Sequence, residues 1–589
     1  MQGISSEKRS TRPKRCFSIK CPKNVVRMLA SIIHDSYLIH LGYFVAISLV
    51  GLIPLRLSPT KSKGYLNVFD AFYTSVSAAT VSSLGVVAME DLSNFHLVVM
   101  IILMLLGAEV FTSSCSLFLA RLNHYRSNLH HHSMNSNQMI DLHQYQITSY
   151  DDKSTTHFDH YLHAKNQSRR ESIVSPKTAI VGLKDIIGDD LEHPEIKDSR
   201  EKAAERDVTS DAENVVDGDL EYEALTLLGY LCLGYFLFVQ LAGIMLVYIY
   251  FCVSRGGERI LSDRGVSKSM FAVFTVVSSF TNCGFTPLND NMMPLRKHSL
   301  LLMILMFQIL MGNTIFAPCF SAILHTLRQF SGVGVRRKVY DYIVKNGRRL
   351  FADHFFSTGQ NMWILLSAVG FLTIQVVMLF ALHWDTVALD GLTACEKVFG
   401  GVFQSVAIRH AGENIVNLQL LTPALLIVYI VFMFLAPYPL YKVGEDSMNI
   451  KSLSKKESSI NEEKWDIRMQ FEKLFLHDSC YLFIAVMFIC ITERHNLSQD
   501  PLNFNVLAIV FEVVSAYGNV GISLGYSSVL FNKMSKDYCK EVTYSFSGKW
   551  STKGKLIIIM VMFFGRVKGI KSSLRRKPHI NNVNLCSFS

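Results

Sequence analysis

Charge is what this chain has least of. Asp, Glu, Lys and Arg make up only 18% of its 589 residues, where a soluble globular chain carries about 25%. Half of the residues are hydrophobic and the mean hydropathy is +0.25, a composition that disfavours a soluble enzyme, a disordered scaffold or a nucleic-acid binder. No C-x-x-C pair occurs among the twelve cysteines, which speaks against a zinc ribbon or thioredoxin-like centre. Most of them lie in or beside apolar runs and read as buried free thiols. H-E-x-x-H is missing as well. Gly521-Ile-Ser-Leu-Gly525 has the letters of G-x-S-x-G, but it follows a helical segment, and a nucleophile elbow needs a strand before it. Gly548-Lys549-Trp550 lacks the rest of a phosphate-binding loop, so ATP-driven pumping has no support. No cleavable leader is expected, because the first apolar run starts late and is long enough to stay.

What the chain does have is long apolar runs, at 37–55, 97–120, 225–253, 300–327, 362–382, 418–440 and 474–492. Each reaches the roughly 17–25 residues that a spanning helix needs. An eighth, at 556–564, is shorter before Gly565-Arg566 interrupts it; by length alone it suits a core or interfacial helix as well as a span. Between successive pairs lie shorter segments rich in Ser, Thr and Gly, at 71–85, 271–284, 398–412 and 506–521. Too short and polar to cross again, they fit re-entrant helices with loops that leave by the face they entered. Each carries a serine ahead of a terminal glycine: Ser77 by eight residues, Ser278 by six, Ser405 by seven and Ser515 by six. A helix–pore loop–helix unit thus occurs four times.

The expected fold is all-α and integral to a membrane, with eight transmembrane helices and four re-entrant pore loops around one central pore. Repeat A covers 37–122 (pore loop 67–90), repeat B 224–328 (266–289), repeat C 358–440 (394–415) and repeat D 473–571 (503–526). The remaining segments, 1–36, 123–223, 329–357, 441–472 and 572–589, are expected to be cytoplasmic. Eight Lys/Arg fall in the first 36 residues, and seven between the fourth and fifth spans against Asp341 and Asp353. That bias places both termini inside and all four loops outside, so the net charge of +10 requires no nucleic-acid partner. The 123–223 segment contains His130-His131-His132 and then fifteen Asp/Glu against four Lys/Arg over 185–223. It is expected to be a mobile linker; the irregular spacing of its histidines gives no zinc motif. Arg169-Arg170-Glu171-Ser172 resembles a basophilic kinase target, a weak signal.

A cation entering the membrane must have its water replaced by oxygen ligands, and inward-turned carbonyls can supply them. Such a backbone often needs a residue without Cβ, for positive φ or close packing at an axis. Gly85, Gly284, Gly412 and Gly521, each at the end of a pore segment, are the candidate selectivity filter.

The strings Val76-Ser-Ala-Ala-Thr-Val-Ser-Ser-Leu-Gly85, Ser279-Phe-Thr-Asn-Cys-Gly-Phe-Thr-Pro-Leu-Asn289, Phe403-Gln-Ser-Val-Ala-Ile-Arg-His-Ala-Gly-Glu413 and Ser515-Ala-Tyr-Gly-Asn-Val-Gly-Ile-Ser-Leu-Gly-Tyr526 resemble the four pore loops of plant HKT transporters, within the Trk/Ktr/HKT superfamily. Met104-Leu-Leu-Gly-Ala-Glu-Val-Phe-Thr-Ser113 and Phe564-Gly-Arg-Val-Lys568 resemble the same family, and the likeness spans about 36–571. It implies uptake of Na⁺ and K⁺ across the plasma membrane of a plant cell through a pore in each subunit of a homodimer, with lipid around it and no cofactor. It also implies two subclasses, serine at the first filter position accompanying Na⁺ selectivity and glycine accompanying K⁺ permeation, often as Na⁺/K⁺ cotransport. With Gly85 taken as that position, K⁺ permeability is expected, a mainly Na⁺-selective uniporter being the alternative. Val86-Val87-Ala88, Ala407-Ile408 and Ile522-Ser523-Leu524 depart from the family's usual hydroxyls and amide. The resemblance further makes Arg566 a pore-lining or gating charge. Glu109 and Glu512, costly inside a membrane, are read as structural charges, and Asn496-Leu-Ser498 is a glycosylation sequon on the outer side.

Overall fold

A computed structural model describes residues 36–62, 64–126, 194–332, 334–351, 354–435, 479–526 and 545–574. The histidine run, the kinase-like site and most of the termini lie outside the described residues. Helices dominate, and an isolated bridge pairs Pro59 with Tyr65.

Repeat A runs α1 (Ser36–Leu57), α2 (Val68–Ala79), α3 (Asn94–Gly107) and α4 (Glu109–Arg126). Repeat B follows as α5 (Pro194–Val253), α6 (Arg255–Asp263), α7 (Lys268–Phe280), α8 (Ser299–Gly312) and α9 (Phe316–Phe330), after which comes α10 (Val335–Leu350). Repeat C is α11 (Thr358–His383), α12 (Ala394–His410) and α13 (Pro423–Phe434). Repeat D is α14 (Ser479–Thr492), α15 (Arg494–Gln499), α16 (Val506–Gly518) and α17 (Thr552–Leu574).

The short helices α7, α12 and α16 start where side chains satisfy free N–H groups; α2 starts after Asn67 with no side-chain cap. Ser267 Oγ accepts from Met270 N at 3.3 Å, Thr393 and Glu396 form a capping box, and Asn505 Oδ1 accepts from Ala508 N at 2.8 Å. Their middles are buried, and Tyr73, Phe271, Phe403 and Phe511 meet in one core with Leu305, Ile309, Ile558 and Met562. The outer helices show the reverse pattern. Val50 and Ile53 on α1, Phe238 and Leu241 on α5, and Trp363, Leu366 and Val369 on α11 are exposed, a surface that only hydrocarbon would cover without penalty.

Three of the expected spans differ in form. The second and fourth are broken helices, bent by 54° after Gly107 and by 77° after Gly312. The last is longer than its apolar stretch: α17 runs for 23 residues, about 34 Å at 1.5 Å per residue. Gly565 and Arg566 lie inside it because a helix interior tolerates glycine where a neighbour's backbone comes close. The acidic half of the 123–223 segment, expected to be a mobile linker, is helical from Pro194. Its Glu, Lys, Ala and Arg are good helix formers, with no glycine or proline between Pro194 and Gly218. The basic 329–357 segment likewise contains α10.

The chain divides into two compact units, one of Met1–Thr112, Gly234–Ile323 and Ala352–Ser589, the other of Ser113–Leu233 and Leu324–Phe351. The second is held by Arg121, which donates to Tyr222 Oη at 2.7 Å, and by the Arg328–Asp341 ion pair at 2.6 Å. All four pore loops belong to the first.

Candidate functional site

Each pore helix ends in the same backbone device. A carbonyl near its carboxyl end accepts from the N–H five residues on: Ser77 from Ser82 (2.8 Å), Ser278 from Cys283 (2.9 Å), Ala407 from Gly412 (3.1 Å) and Ser515 from Val520 (3.0 Å). Closing such a turn requires left-handed residues. Counted from the accepting serine, the fourth residue is left-handed in repeats A, B and D: Val81 (φ 53°), Asn282 (58°) and Asn519 (51°). The sixth is left-handed too: Ser83 (47°), Gly284 (96°) and Gly521 (82°). Repeat C is one residue tighter, and its left-handed residue is Gly412 (70°), the fifth.

The backbone therefore places Ser83, not Gly85, beside the other three loops. Around the ring, a Cβ on Gly284 would run into the carbonyl of Ala411, one on Gly412 into that of Val520, and one on Gly521 into that of Ser82 and the Ser83 side chain. Ser83 Oγ donates to the Gly521 carbonyl at 3.4 Å, and the Cys283 thiol lies against the backbone of Ser83, closing the circle from A to B. Gly85 sits two residues further along. Its φ is not in the left-handed region, and a Cβ there would meet nothing nearer than Phe285 at 3.6 Å, ordinary contact. Its N–H donates to Ser545 Oγ at 2.8 Å, and its carbonyl accepts from Ser545 N at 3.0 Å. The serine expected to mark the third repeat, Ser405, instead donates to the Gly401 carbonyl at 2.9 Å within its own helix; Ala407 fills the equivalent place.

Beyond the ring lies a cavity of about 350 Å³. Polar side chains line it, among them Ser83, Thr286, Asn289, Asp290, Asn414, Gln419 and Ser523. Arg264 bridges Glu90 (2.9 Å) and Asp290 (2.7 Å) at this mouth. The hydrogen bonds it donates to Asp290 first and then Glu90 hold its guanidinium above its ordinary pKa.

The other expected site residues fall apart from the ring. Arg566 donates to the Gly107 carbonyl, set free by the helix break, and its guanidinium lies 5.7 Å from the Phe44 ring centroid. Glu109, first in α4, adds a favourable charge interaction with it. Glu512 is fully buried, and its Oε1 accepts from Ser547 N at 2.9 Å. Asn496 is half-buried on α15, its amide donating to Glu493 Oε2 at 2.7 Å. Two features escaped sequence reasoning. Gly107, Gly312 and Gly565 each press against a carbonyl at the end of a pore helix, those of Ala79, Phe280 and Tyr517; they sit at matching places on the second helices, a regularity visible in principle. The contact between loop A and Ser545 spans 460 positions and has no local signature.

Four pore loops gathered at one mouth, among helices that expose apolar side chains, define a membrane transport protein. The family match and the curated relatives agree. The family model described as TrkH, a cation transport protein, matches residues 208–584. Cation transporter HKT1;3 from Oryza sativa subsp. japonica is 36% identical over 90% of this chain and 88% of its own length. Sodium transporter HKT1 from Arabidopsis thaliana is 34% identical, covering 87% and 89%. The solved structure of the potassium transporter TrkH from Vibrio parahaemolyticus overlays with a TM-score of 0.45 at 14% identity, across 92% of this chain and 85% of that one. The chain belongs to the TrkH family of cation transport proteins, as one of its plant HKT-type members.

Proposed function

We propose that the ring of Ser83, Gly284, Gly412 and Gly521 is the selectivity filter of a monovalent cation path, and that the path prefers Na⁺ to K⁺. The observation that carries this reading is the left-handed Ser83 standing level with Gly284 and Gly521. The expectation of K⁺ permeation rested on Gly85, which lies outside the ring. With a serine at the first position, the family's subclass rule points to Na⁺-selective uniport. A hydroxymethyl group narrows the ring and offers an oxygen, and both favour the smaller ion. The relative named a sodium transporter, at 34% identity over most of both chains, supports the same side.

In this reading the chain sits in the plasma membrane with its basic segments and both termini in the cytoplasm, and lipid surrounds α1, α5 and α11. The family resemblance supports a homodimer with one path per subunit. Arg566 lies along the path as a fixed positive charge, moderated by Glu109, that limits flux. The test is voltage clamp of the expressed full chain while external Na⁺ and K⁺ are varied independently. The reversal potential is expected to follow Na⁺. Equal response to K⁺ would restore the K⁺-permeable reading, and response to neither would end the transport reading.

A further inference from the structure

Residues 545–547 join the first pore loop to the last. Their three successive N–H groups donate to three partners: Ser545 N to the Gly85 carbonyl at 3.0 Å, Phe546 N to Ser523 Oγ at 2.9 Å and Ser547 N to Glu512 Oε1 at 2.9 Å. Two hydroxyls complete the strap, Ser545 Oγ accepting from Gly85 N at 2.8 Å and Ser547 Oγ bonding Tyr73 Oη at 3.0 Å. Phe546 and Ser547 are fully buried. The strap thus holds pore helix and loop of repeat A together with pore helix and loop of repeat D.

We propose that Ser545 is a positioning residue for the first filter position and so a determinant of cation preference. Gly85 follows Ser83 by two residues, and a backbone pinned at both its N–H and its carbonyl has little freedom to rotate. Ser83 is a non-glycine residue in the left-handed region, a conformation that persists only where the surroundings over-determine it. On one side it is held by the pore-helix cap, on the other by Gly85 and its two bonds to Ser545. Removing the Ser545 hydroxyl frees the Gly85 N–H and lets Ser83 relax, which alters the oxygen that meets the ion. The hydroxyl itself is part of the wall of the outer cavity, but its acceptor role toward Gly85 is what fixes the geometry.

This inference rests on the ring of Ser83 and the three glycines acting as the filter. Its test is the Na⁺/K⁺ permeability ratio of the full-length chain under voltage clamp, with surface abundance measured in parallel. Ser545→Ala is expected to change that ratio about fivefold, the equivalent of one hydrogen bond, while Ser545→Thr, which keeps the hydroxyl, holds it within about twofold. Ser547→Ala, which cuts the Tyr73 contact and leaves Gly85 alone, serves as control and is expected to keep the wild-type ratio. An unchanged ratio in Ser545→Ala at normal current would overturn the proposal. Should Ser545→Ala fail to reach the surface, Ser545→Cys, of similar shape but a poor acceptor, carries the same expectation. Failure of both would make Ser545 a folding residue only and also overturn the proposal. A wild-type chain whose reversal potential follows neither ion would instead defeat the filter reading, whatever the variants do.

Discussion

Pore loops A and B carry out one backbone path with different residues. Loop B places Asn282 and Gly284 at its two left-handed positions, and loop A places Val81 and Ser83 there. Asparagine and glycine visit that region readily, whereas a β-branched valine does so at a cost of about 1–3 kcal/mol. Loop B is thus shaped by its own sequence. Loop A is shaped by its neighbours, through the pore-helix cap, the Gly521 carbonyl and the two bonds to Ser545. Fourfold likeness of architecture here coexists with different sources of order.

The sharpest way to break the comparison is Gly284→Ala. A methyl group there adds left-handed strain to a collision with the Ala411 carbonyl, together about 3 kcal/mol or more. Loss of surface protein or of all current is the expected result, measured by surface labelling and voltage clamp. Next in size is Ser83→Gly, which makes loop A more like loop B. Relative K⁺ permeability is expected to rise several-fold, on the order of one polar contact of about 1 kcal/mol, read from the reversal potential; no change would remove Ser83 from the filter. Val81→Asn relieves the left-handed strain but puts an amide into a fully buried apolar cluster, and the unpaired polar group outweighs the relief by about 1 kcal/mol, visible as a lower Tm for the purified protein in detergent. Gly85→Ala comes last. With ordinary φ and room for a Cβ, it is expected to leave the permeability ratio as it was. A large shift there would return Gly85 to the filter.

The fourfold plan was legible because apolar length and short Ser/Gly-rich segments each repeat at the scale that a bilayer imposes. In the proposed ring the first position falls on Ser83 and not on Gly85, and the sequence carries a signal for it. Six residues beyond Ser77, Ser278 and Ser515 stand Ser83, Gly284 and Gly521, a constant spacing that the glycine at position 85 masks. Ser405 misled for the complementary reason, since its hydroxyl serves its own helix while the cap falls to Ala407. The helix breaks after Gly107 and Gly312 were hidden inside continuous apolar runs, because hydropathy does not register where a neighbouring backbone needs room. Arg566 stands out in the sequence as a charge inside an apolar segment, but its partner, a carbonyl released by one of those breaks, is visible only in three dimensions.

The contacts that complete the first loop also carry an order in time. Ser83 bonds Gly521, Gly85 bonds Ser545, Ser82 accepts from Asn519 at 2.8 Å, and the Gly107 carbonyl receives Arg566. Every one of these partners is synthesised after the first three repeats have left the ribosome. The loop made earliest therefore stays without its supports until the end of repeat D is in place, and a chain that stops before Ser545 would lack the strap for both the first loop and the last.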